Sequence, residues 1–297
     1  MPVDVVEGRM PNQVAASPLP QDANRRRSSW SRADWSYSPI WPMLGKWGGF
    51  CLLFLIYFPL AWLALMSISE RPLSGVPLPL TFAHYAALFS DTRWVGPFEA
   101  SIAIALLVGM TCAVVATAVG RAMPSIRRPG AALLLCVLPL FVPGMSMGAA
   151  LFIMLRLVLG VRLGFSSILL GHFVWAFPFA LLIILVLTTR FDHRLVEASS
   201  DLGASRWQTF WRIEFPLLRP AIIGAGLFGF LLSFNEVLRT IFLRGTDTTM
   251  PVYNWTMAAS QQSQVPIIFA LATIVLLISL PLLGGAFWLL YARLDKS

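Results

Sequence analysis

Apolar residues in this chain run in long blocks broken by short polar segments, with little alternation inside a block. The blocks lie near 47–67, 98–119, 131–155, 166–187, 217–243 and 266–291. Each reaches the roughly 20 residues that an α-helix needs to cross a bilayer. A block that is apolar on every face suits hydrocarbon, where the backbone must satisfy its own hydrogen bonds and a helix does so. The pattern predicts an all-α integral membrane protein with six transmembrane helices. It divides the chain into a polar, Arg-rich tail at 1–46, a membrane domain at 47–292 and a short C-terminus at 293–297.

The polar segments are equally informative. The tail carries Pro, Ser and the cluster Arg25-Arg26-Arg27, and its composition predicts disorder. Its first apolar block begins too far in for a signal peptide. Trp30, Trp35, Tyr37, Trp41 and Trp47 approach the first block and suit an interfacial belt. The segment 81–89 reads as a short amphipathic helix. The segment 244–265, with Gln261-Gln262-Ser263-Gln264, reads as a polar loop able to contact a soluble partner or to gate a pathway.

The longest internal polar run of the second half is 190–219. Asp192 can cap a short helix in which Leu195, Val196, Ser199 and Leu202 share one face. Gly203 supplies the left-handed residue that ends such a helix. Ser205 can cap a second helix with Trp207, Phe210 and Trp211 on one face, and Pro216 is expected to stop it. The run predicts a helix–turn–helix presenting an aromatic knob. Two such short helices are marginal alone, so they need something to pack on.

At 57% hydrophobic and 12% charged residues, the composition excludes an ordinary soluble domain. The excess of 22 Lys+Arg over 14 Asp+Glu would suggest nucleic acid in a soluble protein. Here the positive-inside rule accounts for it, and no nucleic-acid role is assigned. With six spans, most of the positive charge falls on the side of both termini and of the 190–219 loop. Arg71, Arg93, Arg156, Arg162, Arg239 and Arg244 are left on the other side. Both termini and the loop are therefore expected in the cytoplasm. Cys51, Cys112 and Cys136 each stand inside an apolar block and read as small hydrophobes.

Three places within the spans carry polar or irregular chemistry. Pro139 and Pro143-Gly144 predict a kink, either lining a pathway or serving packing, and Gly144 with Gly148 suits close helix approach. His172 reads either as a buried, hydrogen-bonded histidine or as a proton relay. Glu236 and Arg239 are i, i+3 neighbours, next to Asn235. Counting along a helix from Pro220 places Glu236 about 24 Å up, in the outer part of the bilayer. The pair reads either as an interfacial ion pair with Arg239 snorkelling or as a pathway element. No Walker A loop, Gly-x-Ser-x-Gly, His-Glu-x-x-His or Cys-x-x-Cys is present, so no catalytic set is assigned.

Glu197-Ala198-Ser199, Gly203 and Ile213-Glu214-Phe215-Pro216 stand at the spacing of the EAA loop. On this ground the chain resembles the permease subunits of binding-protein-dependent, type I ABC importers. Asp201-Leu-Gly-Ala-Ser-Arg-Trp-Gln-Thr-Phe210, Pro139, Pro143, His172, Pro178, Ser233-Phe-Asn235-Glu236 and Ala270-Leu-Ala-Thr-Ile274 extend the likeness to the second permease of the spermidine/putrescine branch. Asn235 departs from that branch, where a second acid is common. The resemblance implies an inner-membrane subunit of six spans whose loop between spans four and five is a coupling helix. The residues it assigns to coupling are Glu197, Ala198, Ser199, Asp201, Gly203, Ala204, Trp207, Phe210, Trp211 and Pro216. Pro143, His172, Asn235, Glu236 and Arg239 are the candidates for the substrate path. The implied partners are a cytoplasmic ABC ATPase dimer that uses ATP and Mg, a second homologous permease, and a periplasmic or lipid-anchored binding protein. The chain itself is then no enzyme and binds no cofactor. A stand-alone channel or secondary transporter is the alternative, with Glu236, Arg239 and His172 as its polar path.

Overall fold

Three helices carry the interior of the protein. A computed structural model describes residues 40–188, 192, 194–260 and 262–294. The expectations placed on 1–39, among them Arg25, Arg26, Arg27, Trp30 and Trp35, and those on Arg190, Gln261 and 295–297 lie outside the described residues. Two units are distinguished, one up to Pro59 and one from Leu60 onward. In the first, the chain is helical from Ile40, at the start of α1 (Ile40–Met66). Its large apolar side chains from Trp47 to Phe58 are exposed, as a helix bathed in hydrocarbon requires.

In the second unit the core is built by α3 (Val95–Ala122), α6 (Phe165–Thr188) and α9 (Phe215–Phe234). Each buries a stripe with a four-residue step: Ile104, Val108, Cys112 and Ala116 on α3, Ile168, His172, Ala176 and Ala180 on α6, and Ala221, Ala225, Gly229 and Ser233 on α9. Rows of i±4 residues interlock as ridges into grooves, and small residues in those rows bring the backbones together. At Gly109 the approach is close: a Cβ there would lie 2.7 Å from the Gly226 carbonyl oxygen. A smaller cluster joins α2 (Ala83–Ser90), α11 (Met250–Ser260) and α12 (Val265–Leu294) through Leu88, Met250, Ala270 and Leu271. His84 is used structurally, with Nε2 2.9 Å from the Ser69 carbonyl oxygen.

Among the described residues four helices are long and apolar enough to cross a membrane: Gly45–Met66, Val95–Ser125, Phe165–Val186 and Arg206–Phe234. A fifth candidate is the pair Pro129–Phe141 and Gly144–Val158, bent by 100°. The single span expected at 131–155 is thus two pieces, containing α4 (Pro129–Val137) and α5 (Gly144–Phe152). Pro139 and Pro143 remove two backbone donors within five residues, and Val142 is pushed to the extended region at ψ 124. The final helix α12 is continuous, and its described apolar stretch is Val265–Pro281.

Two further expectations need correction. The span expected at 217–243 ends at Phe234; residues 235–237 are non-helical, and a short helix, α10 (Leu238–Leu243), follows. Helical counting therefore does not locate Glu236. The expected polar loop at 244–265 holds α11, whose Met250 and Val252 are buried.

Candidate functional site

The polar run folds locally as its capping residues dictate. Asp192 accepts a hydrogen bond from the Arg194 N–H at 3.0 Å and opens α7 (Arg194–Asp201). Gly203, at φ +79, turns the chain. Ser205 then opens α8 (Arg206–Thr209) with a capping box: its side chain accepts from the Gln208 N–H, and its own N–H donates to Gln208 Oε1 at 2.9 Å. Ser199 and Thr209 clasp the two helices, their hydroxyls 2.9 Å apart. Both are buried. Ser199, which follows Glu197 and Ala198, thus supplies half of the clasp.

The inner face differs from the expected one. Only Val196 and Ser199 of the predicted α7 stripe turn inward, whereas Leu195 is 45% and Leu202 88% exposed. Trp207, 70% exposed, and Trp211 stack edge-on with ring centroids 5.5 Å apart. Phe210 and Phe215 pack behind Trp211. Glu197, Ala198 and Asp201 are exposed on the same segment. Leucine side chains and indole rings are thus held in the open beside carboxylates.

Pro216 does not stop α8. The chain passes through a π-turn at Phe210–Glu214 directly into α9, and Arg206–Phe234 is one helical run of 29 residues. The Phe215 N–H donates to the Phe210 carbonyl, an i→i+5 bond. The widened turn absorbs the proline ring and the donor it lacks. At this joint Arg121, in the last turn of α3, grips Glu214 with Nη2 donating to Oε1 at 2.9 Å. Its guanidinium also lies over the Phe210 ring, 4.4 Å from the centroid. A cavity of about 690 Å³ opens beside this clasp, lined by Arg121, Met123, Ser125, Thr188, Val196 and Glu214 among others.

The other end of the same helical run meets a buried polar cluster. The carboxylate of Glu236, 8% exposed, accepts from the Arg239 backbone N–H at 3.0 Å and from Arg239 Nη1 at 2.7 Å. Arg239 is 3% exposed and does not snorkel. Its Nε donates to Met147 Sδ at 3.3 Å, and its guanidinium lies 4.0 Å from the centre of the Trp175 ring. His172 bridges Ser233, 2.8 Å from Nδ1, and Thr240, 2.7 Å from Nε2. The Thr240 hydroxyl donates to the Glu236 carbonyl at 3.1 Å. Thr240 therefore accepts from Nε2–H, and Nδ1 accepts from Ser233. Every heteroatom of this histidine is engaged in joining α6, α9 and α10.

Of the predicted pathway residues, the structure brings His172, Glu236 and Arg239 together. Pro143 caps α5 next to Gly144, where a Cβ would lie 3.3 Å from Arg239 Nη1. Asn235 stands apart: it is exposed, and its Nδ2 donates back to the Leu231 carbonyl at 3.0 Å. Trp175, Met147 and Thr240 were not singled out in the sequence. Trp175 follows His172 by i+3, which is the one signal that pointed to it.

Residues 105–292 match the family described as the binding-protein-dependent transport system inner membrane component. Among curated relatives, the chain is 34% identical over 139 residues to the spermidine/putrescine transport system permease protein PotC of Escherichia coli strain K12, covering 46% of this chain and 52% of that one. It thus spans about half the length of that relative. It is 27% identical over 255 residues to the putrescine transport system permease protein PotI of the same strain, covering 82% and 88%. Among solved structures, a chain of a bacterial ABC transporter involved in the import of the acidic polysaccharide alginate shares the fold, with a TM-score of 0.66 at 16% identity over 83% of this chain and 96% of that one.

Proposed function

Because the chain belongs to the family of binding-protein-dependent transport system inner membrane components, we propose that it is a permease subunit of an ATP-driven importer. It contributes half of the substrate pathway and leaves ATP hydrolysis, with its Mg, to a cytoplasmic ATPase dimer. A second homologous permease completes the membrane core, and a binding protein delivers the cargo. The subunit has six spans, with the bent pair and α12 completing the set, and its termini and the α7–α8 segment face the cytoplasm. The positive-inside distribution supports that orientation. The cargo is a polyamine or a related small organic cation, which the names of the curated relatives support.

One observation carries the reading: the exposed α7–α8 surface and the buried Glu236–Arg239–His172 cluster sit at opposite ends of a single helical run. At 1.5 Å per residue that run is roughly 40 Å long, enough to reach from a cytoplasmic partner well into the bilayer. Closure of the ATPase dimer displaces the Trp207–Trp211 knob. The π-turn and the Arg121–Glu214 clasp hand that displacement to α9 and α3. The break at 235–237 receives it, and the spans tip between inward- and outward-facing states.

The test is uptake by proteoliposomes holding the complete complex. Labelled putrescine or spermidine should accumulate only with binding protein outside and ATP inside. Uptake driven by an ion gradient without ATP would overturn the reading and favour a secondary transporter.

A further inference from the structure

The groups around the Arg239 guanidinium are those that recognise any organic cation: a carboxylate at 2.7 Å, an indole face at 4.0 Å and a thioether at 3.3 Å. Attraction to an aromatic face strengthens when the cation is desolvated, and this site is buried. As mere packing the pair is a poor choice, because taking two charges out of water costs more than well-packed apolar residues of the same volume would. Charges within a membrane bundle mark pathways. The site is also close to the surface, with Trp175 half-buried and Asn235 exposed next to Glu236.

We propose that Glu236, Trp175 and Met147 form a binding site for an alkylammonium group of the cargo, and that Arg239 is its built-in occupant. The guanidinium is a tethered cation that fills the site in the state described here. A cargo ammonium takes its place on Glu236 and Trp175 when the pathway opens. Exchange of one cation for another keeps the buried carboxylate neutralised, and the displaced guanidinium turns on its flexible stem to water in the opened pathway. This deepens the importer reading and rests on it for the identity of the cargo.

The experiment uses the full chain in lipid nanodiscs and equilibrium binding of labelled putrescine. Arg239→Gln should bind putrescine at least about tenfold more tightly than the natural chain, the gain expected from a vacated carboxylate and aromatic face. Arg239→Met, which keeps the volume of the stem, should show the same gain. Glu236→Gln combined with Arg239→Gln should lose it, and Trp175→Leu combined with Arg239→Gln should retain only part. The neutral isostere 1,4-butanediol should not compete. Equal binding by the natural chain and both single variants would overturn the proposal. So would gained binding that survives loss of Glu236. If both single variants fail to fold while the combination of Glu236→Gln with Arg239→Met folds, Arg239 is an obligatory counter-ion and the proposal falls. The chain is assayed alone, so an absent ATPase partner would count against the importer assignment without altering this result.

Discussion

His172 shows how a polar residue is kept inside an apolar bundle. Nε2–H donates to Thr240 and Nδ1 accepts from Ser233, so a single ring satisfies hydroxyls on two other helices. His172→Leu would strip the Ser233 hydroxyl of its partner and cost about 1–3 kcal/mol. A thermal melt of the chain in nanodiscs should show a lower midpoint for this variant. His172→Gln, able to hydrogen-bond again, should recover part of the loss. A midpoint unchanged in His172→Leu would mean that the network contributes nothing to stability. The sequence already displayed His172, Glu236 and Arg239, because ionisable groups stand out within apolar blocks. It did not display Trp175 or Met147, which look like their apolar neighbours until the fold places them around the guanidinium. Nor did it reveal that Asn235 turns away, since that follows from the helix ending at Phe234.

At the level of elements, legibility tracked the strength of the local signal. Asp192, Gly203 and Ser205 act in the structure as their capping chemistry predicts. Pro216 misled because the π-turn before it removes the conflict that a proline creates in a regular helix, and nothing in the residue order announces a π-turn. The inward face of α7 also escaped, since Leu195 and Leu202 are apolar yet exposed. Two substitutions test these elements. Gly203→Glu forces a residue with a Cβ to φ +79, at about 1–2 kcal/mol, and adds charge to the exposed surface. It should leave the chain inserted in the membrane but abolish co-purification of the ATPase. Retained ATPase binding would remove α7–α8 as the docking element. Gly109→Leu drives a side chain into the Gly226 carbonyl and separates α3 from α9. Little monodisperse protein should be recovered from detergent. A well-folded Gly109→Leu protein would contradict the close packing of these two helices.

For the molecule as a whole, apolar block lengths were enough to assign an all-helical membrane protein, and the spacing of Glu197, Gly203 and Pro216 pointed to its family. Block lengths could not foretell the 100° bend after Phe141 or the break after Phe234, because apolar residues continue through both. These two interruptions give the molecule its character. Met147 beyond the bend and Arg239 beyond the break meet in the buried cluster, and one helical run connects that cluster to the exposed tryptophans. The central claim is that this run couples an external ATPase to a pathway in the membrane. Its most direct test is gentle-detergent purification of the tagged chain from its native host, with identification of everything that accompanies it. A P-loop ATPase together with a second multi-span permease is the expected result. A homo-oligomer that reproducibly carries no ATPase and still transports would contradict the account.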